Sequence, residues 1–134
     1  MASNPAPCPC GLPAAYSQCC GRWHQGPLHL QAPDAQALMR SRYSAYVLRL
    51  ADYLMDTWHP STRPTVAQEL VPGVKWLGLE VRQVCVQDDS HATVEFVARS
   101  KIGGRANRLH ETSRFVLEGG RWLYLDGTED GATG

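Results

Sequence analysis

The sequence predicts an α+β fold: helices packed on one face of a curved antiparallel sheet, preceded by a short cysteine-rich segment that takes its shape from a metal ion. Three observations predict it. Four of the five cysteines crowd into CPCGLPAAYSQCC near the N-terminus; apolar residues then recur at helical spacing from about Pro33 to Trp58; and from Trp76 onward the period changes to two. Helices followed by a run of antiparallel strands form two layers with a shared core, a shape that often encloses a cone.

The 134 residues suit one core and a small appendage, and 13 Lys and Arg balance 13 Asp and Glu. A neutral chain has no overall field to draw it to nucleic acid or an anionic membrane. MASNPAPCPC lacks a basic segment followed by an apolar one, and no apolar run is long enough to cross a bilayer, so a cytoplasmic protein with no membrane partner is expected. In a reducing compartment, clustered cysteines are metal ligands or redox groups before they are structural disulfides.

Residues 1–27 hold few large apolar side chains and cannot bury a core; metal bonds take the place of burial there. Residues 28–134 are expected to form the cone-like domain. In its helical part Leu38, Met39, Tyr43, Tyr46, Val47, Leu50, Tyr53, Leu54 and Trp58 recur every three or four residues, a wide apolar face. Pro33 suits the first turn, Asp34 complements the positive end of the helix, and His59-Pro60 disfavours continuation. A break between Arg49 and Asp52, with Asp52 as cap, divides the segment into two helices. Ser61 to Gly73 is a proline-interrupted connector, with one helical turn expected through Val66, Ala67 and Leu70.

Four strands follow, over Trp76–Val86, His91–Ile102, Leu109–Glu118 and Arg121–Asp126, joined at Asp88-Asp89-Ser90, Gly103-Gly104 and Gly119-Gly120. Leu77, Leu79 and Val81 share one parity whereas Val84 and Val86 take the other, so a bulge near Arg82-Gln83 is expected to keep the apolar side inward. Cys85, apart from the cluster, reads as a buried, inert thiol. Trp58, Trp76, Phe96, Phe115 and Trp122 either fill the cone or wall it.

The most specific chemistry lies in the order C-x-C, eight residues, C-C. Cys8 and Cys10 with Gly11 form a tight knuckle whose backbone N–H groups can stabilise thiolate sulfur, and a helical turn at Tyr16 to Gln18 brings Cys19 and Cys20 back to the metal. Four thiolates around Zn²⁺ leave net negative charge, which Arg22, the ring N–H of Trp23, or His24 can offset or hydrogen-bond. A closed four-ligand site has no open position for catalysis, so it either pins the N-terminal arm or forms a protein-docking tip. A redox role fits less well, because adjacent cysteines make a strained disulfide and no C-x-x-C is present. His24 in place of Cys20 is the alternative ligand.

CPCGLPAAYSQCC resembles the SEC-C motif, the zinc-binding segment named after the C-terminus of the preprotein translocase SecA, with all four ligand positions filled. LMRSRYSAYV, DTWHPSTRP, WLGLEV and HETSRFVLEGGRWLYLDG are similar to the body of the YchJ family of uncharacterised bacterial proteins. The resemblance implies an N-terminal SEC-C motif followed by a domain similar to the nuclear transport factor two fold, with helices against a curved antiparallel sheet.

A second, polar and aromatic constellation comprises Arg40, Arg42, Tyr43, Trp58, His59, Glu95, His110, Glu111, Arg114, Tyr124 and Asp126. Tyr43, Trp58, His59, His110, Arg114 and Asp126 are the candidate pocket residues, where a histidine or carboxylate could act as acid or base. Strand parity places His110, Thr112 and Arg114 on one side and Glu111, Ser113 and Phe115 on the other. Arg99, Lys101, Arg105 and Arg108 surround a glycine turn and would form a small basic tip suited to RNA or the ribosome. No P-loop, dinucleotide fingerprint, nucleophile elbow or HExxH is present. The expected protein is therefore a zinc-binding adaptor that docks a protein partner through its knuckle, with no assigned catalytic residue. An enzyme or small-molecule binder using the cone, and an RNA or ribosome binder, are the alternatives.

Overall fold

The computed structural model describes residues 7–64 and 73–129. A 3-10 turn (Tyr16–Gln18) and helix α1 (Gly21–His24) lie in the cysteine segment, helices α2 (Ala35–Leu48) and α3 (Ala51–Asp56) follow, and strands β1 (Val74–Asp88), β2 (His91–Ile102), β3 (Arg105–Glu118) and β4 (Arg121–Glu129) complete the chain. The turn expected through Val66, Ala67 and Leu70 lies outside the described residues.

Helix α2 starts where a side chain can satisfy its orphan N–H groups. Asp34 is extended and its Oδ1 accepts a hydrogen bond from the Ala37 amide at 2.7 Å, so Asp34 is the N-cap and Pro33 precedes the helix instead of entering its first turn. The helix ends at Arg49, whose N–H still bonds the carbonyls of Ala45 and Tyr46 and whose left-handed backbone (φ 61°) turns the Leu50 N–H back onto the Ala45 carbonyl at 2.8 Å. Helix α3 then begins after Leu50, with Asp52 inside its first turn and not at the cap.

The strands form one antiparallel sheet in the order β1-β2-β3-β4. Ile102 pairs with Arg105 and Glu118 with Arg121, which leaves Gly103-Gly104 and Gly119-Gly120 as two-residue hairpin loops. All four glycines have positive φ, the conformation such loops require. The register of β1 against β2 shifts between Val81 and Gln83, where the bulge is expected, and also after Trp76 and after Val86. The shift does not keep the apolar side inward, because Val84 (37%) and Val86 (72%) beyond it are exposed. Beyond the Val81 shift, every β1 residue from Arg82 to Asp88 is exposed. Cys85 is therefore exposed, contrary to the sequence expectation: it lies on an edge strand, past the bulge.

The helices cover the inner face of the sheet. Leu38, Met39, Tyr43, Tyr53 and Leu54 pack with Ala92, Val94, Phe96, Ala98 and Phe115, and Cys8, Cys10, Cys19, Cys20 and Trp23 belong to the same buried cluster. The cysteine segment thus shares the core of the domain. Arg42 secures the far end of the helical layer. It is 6% exposed, and its guanidinium donates to the Leu54 carbonyl (2.8 Å) and the Thr57 hydroxyl (2.6 Å) while lying 4.4 Å over the Tyr124 ring and 5.4 Å from that of Trp58. Backbone bonds join the same places: Tyr124 N–H donates to the Thr57 carbonyl, and His59 N–H to the Tyr124 carbonyl. No helix among the described residues is long and apolar enough to cross a membrane.

Two stability changes follow. Asp34→Ala should cost about 1 kcal/mol, the usual loss of a helix N-cap. Leu38→Ala, at a position 1% exposed, should cost about 2–5 kcal/mol through lost burial and the cavity left behind. Urea unfolding followed by circular dichroism measures both, and a Leu38→Ala loss no larger than that of Asp34→Ala would contradict this core.

Candidate metal centre and cavity

The cysteine segment folds through short local hydrogen bonds. Cys8 N–H donates to the Ala14 carbonyl (3.0 Å) and Gly11 N–H to the Cys8 carbonyl (3.2 Å), closing a turn in which Gly11 has φ 92°. The 3-10 turn then delivers Cys19, whose N–H bonds the Tyr16 carbonyl at 3.0 Å, and α1 begins immediately after Cys20. Gly21 is essential to this reversal. A Cβ there would lie 2.7 Å from the Tyr16 carbonyl oxygen and 2.9 Å from its ring, so any side chain would force α1 away from the 3-10 turn.

The outcome is a cluster of four buried thiols, those of Cys8, Cys10, Cys19 and Cys20, with all sulfurs within 4.8 Å of one another and those of Cys10 and Cys19 3.6 Å apart. Metal–sulfur bonds of about 2.3 Å in a tetrahedron place sulfurs roughly 3.8 Å apart, so this donor set fits one metal ion after small adjustments. None of the four is in a disulfide.

The thiols also share charge as such a site requires. A hydrogen bond from the Cys20 thiol lowers the Cys10 pKa to about 5, against the opposing effect of burial. Burial and a hydrogen bond to Cys10 push Cys19 up to about 11, and Cys20 is driven upward by its own bond to Cys10 and by burial. One thiolate is thus supported by its neighbours, while further negative charge in the cluster calls for a cation.

Helix α2 supplies the surroundings. The Ser44 hydroxyl lies 3.6 Å from the Cys8 sulfur, and the Arg40 guanidinium donates to the Cys10 carbonyl at 3.1 Å. Of the residues expected around the sulfurs, Arg22 donates instead to the Cys19 carbonyl (3.0 Å) and stacks on Trp23, whose ring is buried in the core. His24 bridges the Ser41 carbonyl (2.8 Å) and the Tyr16 hydroxyl (2.6 Å). A carbonyl can only accept, so Nε2 carries the proton and Nδ1 accepts from Tyr16; burial lowers the pKa of this ring, in keeping with a neutral tautomer. Both ring nitrogens are engaged away from the cluster. Ser41 and Ser44, fully buried, are the partners that sequence reasoning missed; their spacing of three, with Arg40 beside them, was the available signal.

The cone is open. A cavity of about 290 Å³ lies between α2 and the inner sheet face, walled by Trp76, Phe96 and Phe115 among others. Of the candidate pocket residues, Tyr43 lines it. Trp58 stands behind Tyr124, with the ring centroids 5.3 Å apart. His59 pairs with Glu118 (2.9 Å) and Ser61 (2.7 Å), His110 with Glu95 (2.7 Å), and Arg114 with Asp126 (2.6 Å). These four candidates, His59, His110, Arg114 and Asp126, stand outside the cavity. Its polar atoms come instead from Arg42, Glu111 and Ser113 together with tyrosines. The signal for Glu111 and Ser113 was their parity with Phe115. In the basic hairpin, Arg99 and Arg108 lie directly opposite each other, and with Lys101 and Arg105 they are exposed.

Because Gly21 admits no side chain, Gly21→Ala should destabilise the protein by about 1–3 kcal/mol, as overpacking does, and should lower metal retention during dialysis against a chelator. Unchanged stability and retention would contradict the close packing of the 3-10 turn on α1.

Comparison with known proteins agrees with this architecture. Residues 34–127 match a family model described as the middle, nuclear transport factor two-like domain of YchJ. The chain is 63% identical over 125 residues to a UPF0225 protein of Bordetella parapertussis, covering 93% of this chain and 94% of that one. It is 60% identical over 126 residues to one of Methylibium petroleiphilum, covering 94% and 90%. The solution structure of a SEC-C motif containing protein from Rhodopseudomonas palustris superposes with a TM-score of 0.80 at 34% identity, covering 90% of this chain and 96% of that one. A crystal structure of a SEC-C motif containing protein from Psychrobacter arcticus gives 0.75 at 28% identity, covering 98% and 85%. With its cysteine cluster, helices on a four-stranded antiparallel sheet, and these relatives, the chain belongs to the YchJ family.

Proposed function

We propose that the cysteine cluster holds one Zn²⁺ and that the knuckle built around it docks another protein, so that the chain serves as a cytoplasmic adaptor. The observation that carries this reading is the complete set of four buried cysteine donors, with sulfurs within 4.8 Å. Four thiolates satisfy tetrahedral zinc and leave no position for substrate, which favours a structural or docking role over catalysis. The likeness to SEC-C motif proteins supports metal binding. Docking is supported by two large apolar side chains that stay exposed in and just after the cysteine segment, Leu12 (39% exposed) and Leu28 (47% exposed).

Protein purified without added metal should contain about one zinc per chain by mass spectrometry; less than half an equivalent would count against the site. Cys19→Ser should lose most of that zinc. Because the cluster lies in the common core, it should also loosen α2, seen as faster amide exchange around Ser41 and Ser44. For docking, a Leu12→Asp/Leu28→Asp protein should keep its zinc and its unfolding transition yet lose the partner that the wild type captures by crosslinking in cells. Equal capture by both proteins would sink the docking reading and leave the zinc reading standing.

A further inference from the structure

From the chemistry of its walls, we infer that the cavity between α2 and the sheet is a binding site for a small, uncharged, planar aromatic compound, about two fused rings in size, bearing one N–H or O–H donor that Glu111 accepts. The size follows from the volume. An apolar protein cavity of about 150 Å³ holds a benzene molecule, and this one is about 290 Å³. That is just below the usual range for ligand sites, roughly 300–1,000 Å³, and so suits a small ligand. The planarity follows from Trp76, Phe96 and Phe115, which offer ring faces and edges that favour another aromatic ring over a flexible chain.

The net charge follows from Arg42 and Glu111. The Arg42 guanidinium bonds a carbonyl and a hydroxyl, both neutral, and among the described residues no carboxylate comes within ion-pair distance of it. Glu111 shares the cavity wall with it and is the carboxylate among the lining residues. One positive and one negative group therefore already balance, and a charged ligand would bring an uncompensated charge into an apolar site.

The donor requirement follows from how Glu111 is seated. The Ser113 hydroxyl donates to Oε2 at 2.6 Å, and the carboxylate rests on the β4 backbone at Gly127. A Cβ at Gly127 would collide with Oε2 and lie 2.6 Å from Cδ, so glycine there makes room for the carboxylate. The backbone of Gly127 is not in the left-handed region, so alanine strains nothing except this seat. Ser113 supplies one donor, and the lone pairs of the two carboxylate oxygens leave room for more.

The test titrates full-length protein with four probes, read by ligand-observed NMR and calorimetry: indole, benzothiophene as the isostere without a donor, tryptamine as the cation and indole-3-acetate as the anion. Indole should bind with a Kd below about 1 mM and at least fivefold more tightly than benzothiophene, since a donor-matched site rejects the isostere that lacks it. Both charged probes should bind more weakly than indole. Gly127→Ala, with its unfolding transition retained, should bring the ratio of indole to benzothiophene affinity close to one. Glu111→Gln should reverse the charge preference, improving indole-3-acetate severalfold because Arg42 then lacks its balancing carboxylate. No binding of any probe at 5-fold the expected Kd would overturn the site. Equal affinity for indole and benzothiophene, or variants that leave the preferences of wild type unchanged, would overturn the role of Glu111.

Discussion

Burial of four thiols against the side of α2 is the constraint on which the rest of this structure depends. The cysteine segment has too little apolar surface to hold its own shape, so its turns are stable only while the sulfurs stay together and the helix closes over them. Three contacts make that closure: Ser44 beside the Cys8 sulfur, Arg40 on the Cys10 carbonyl, and His24 on the Ser41 carbonyl. The same helix carries Arg42, which fastens α3 and β4, and Tyr43, which walls the cavity. A disturbance in the sulfur cluster is therefore one helical turn from the inner face of the sheet.

Local chemistry made much of this legible. Metal-ligand spacing and the paired glycines of two hairpins follow from short-range rules, and each is where those rules place it. The register shift near Arg82 is also in place, but Val84 and Val86 beyond it stay exposed instead of turning inward. Questions of which face meets which were harder. His110 and Glu111 are neighbours of similar polarity, and strand parity separates them without saying which one turns inward; Phe115, sharing the parity of Glu111, decides it. Ser41 and Ser44 resemble solvent-facing helix residues, yet both are buried, Ser44 beside the Cys8 sulfur and Ser41 with its hydroxyl on Leu38 and Tyr53. Cys85 failed for the opposite reason. An apolar-looking strand buries both faces only where neighbours exist on both sides, and the end of β1 lacks them.

The two polar arrangements in the core differ in kind. Around the sulfurs, neutral hydroxyl and amide groups surround a cluster whose charge is suited to a cation. Around Arg42, a permanent positive charge is buried among ring faces and neutral acceptors, with burial pressing its pKa down from the usual arginine value. Such an interior ion is tolerated because Nη1 donates to two acceptors, aromatic rings lie against the guanidinium and a carboxylate shares the cavity, and it restricts how α3 and β4 can pack.

Helix α2 itself has an unusual position. From Leu38 to Val47 no residue is exposed. Most helices of small proteins keep a solvent stripe along which residues can change freely and by which the helix can roll slightly. This one is covered over most of its length by the cysteine segment, α3 and the sheet, with Arg40, Tyr46 and Val47 half-buried and Leu48 exposed at its end. Its sequence is thus read from every side at once, and a substitution that suits one neighbour must also be accepted by the others. Drift in this helix can proceed only through coordinated changes in segments far apart along the chain.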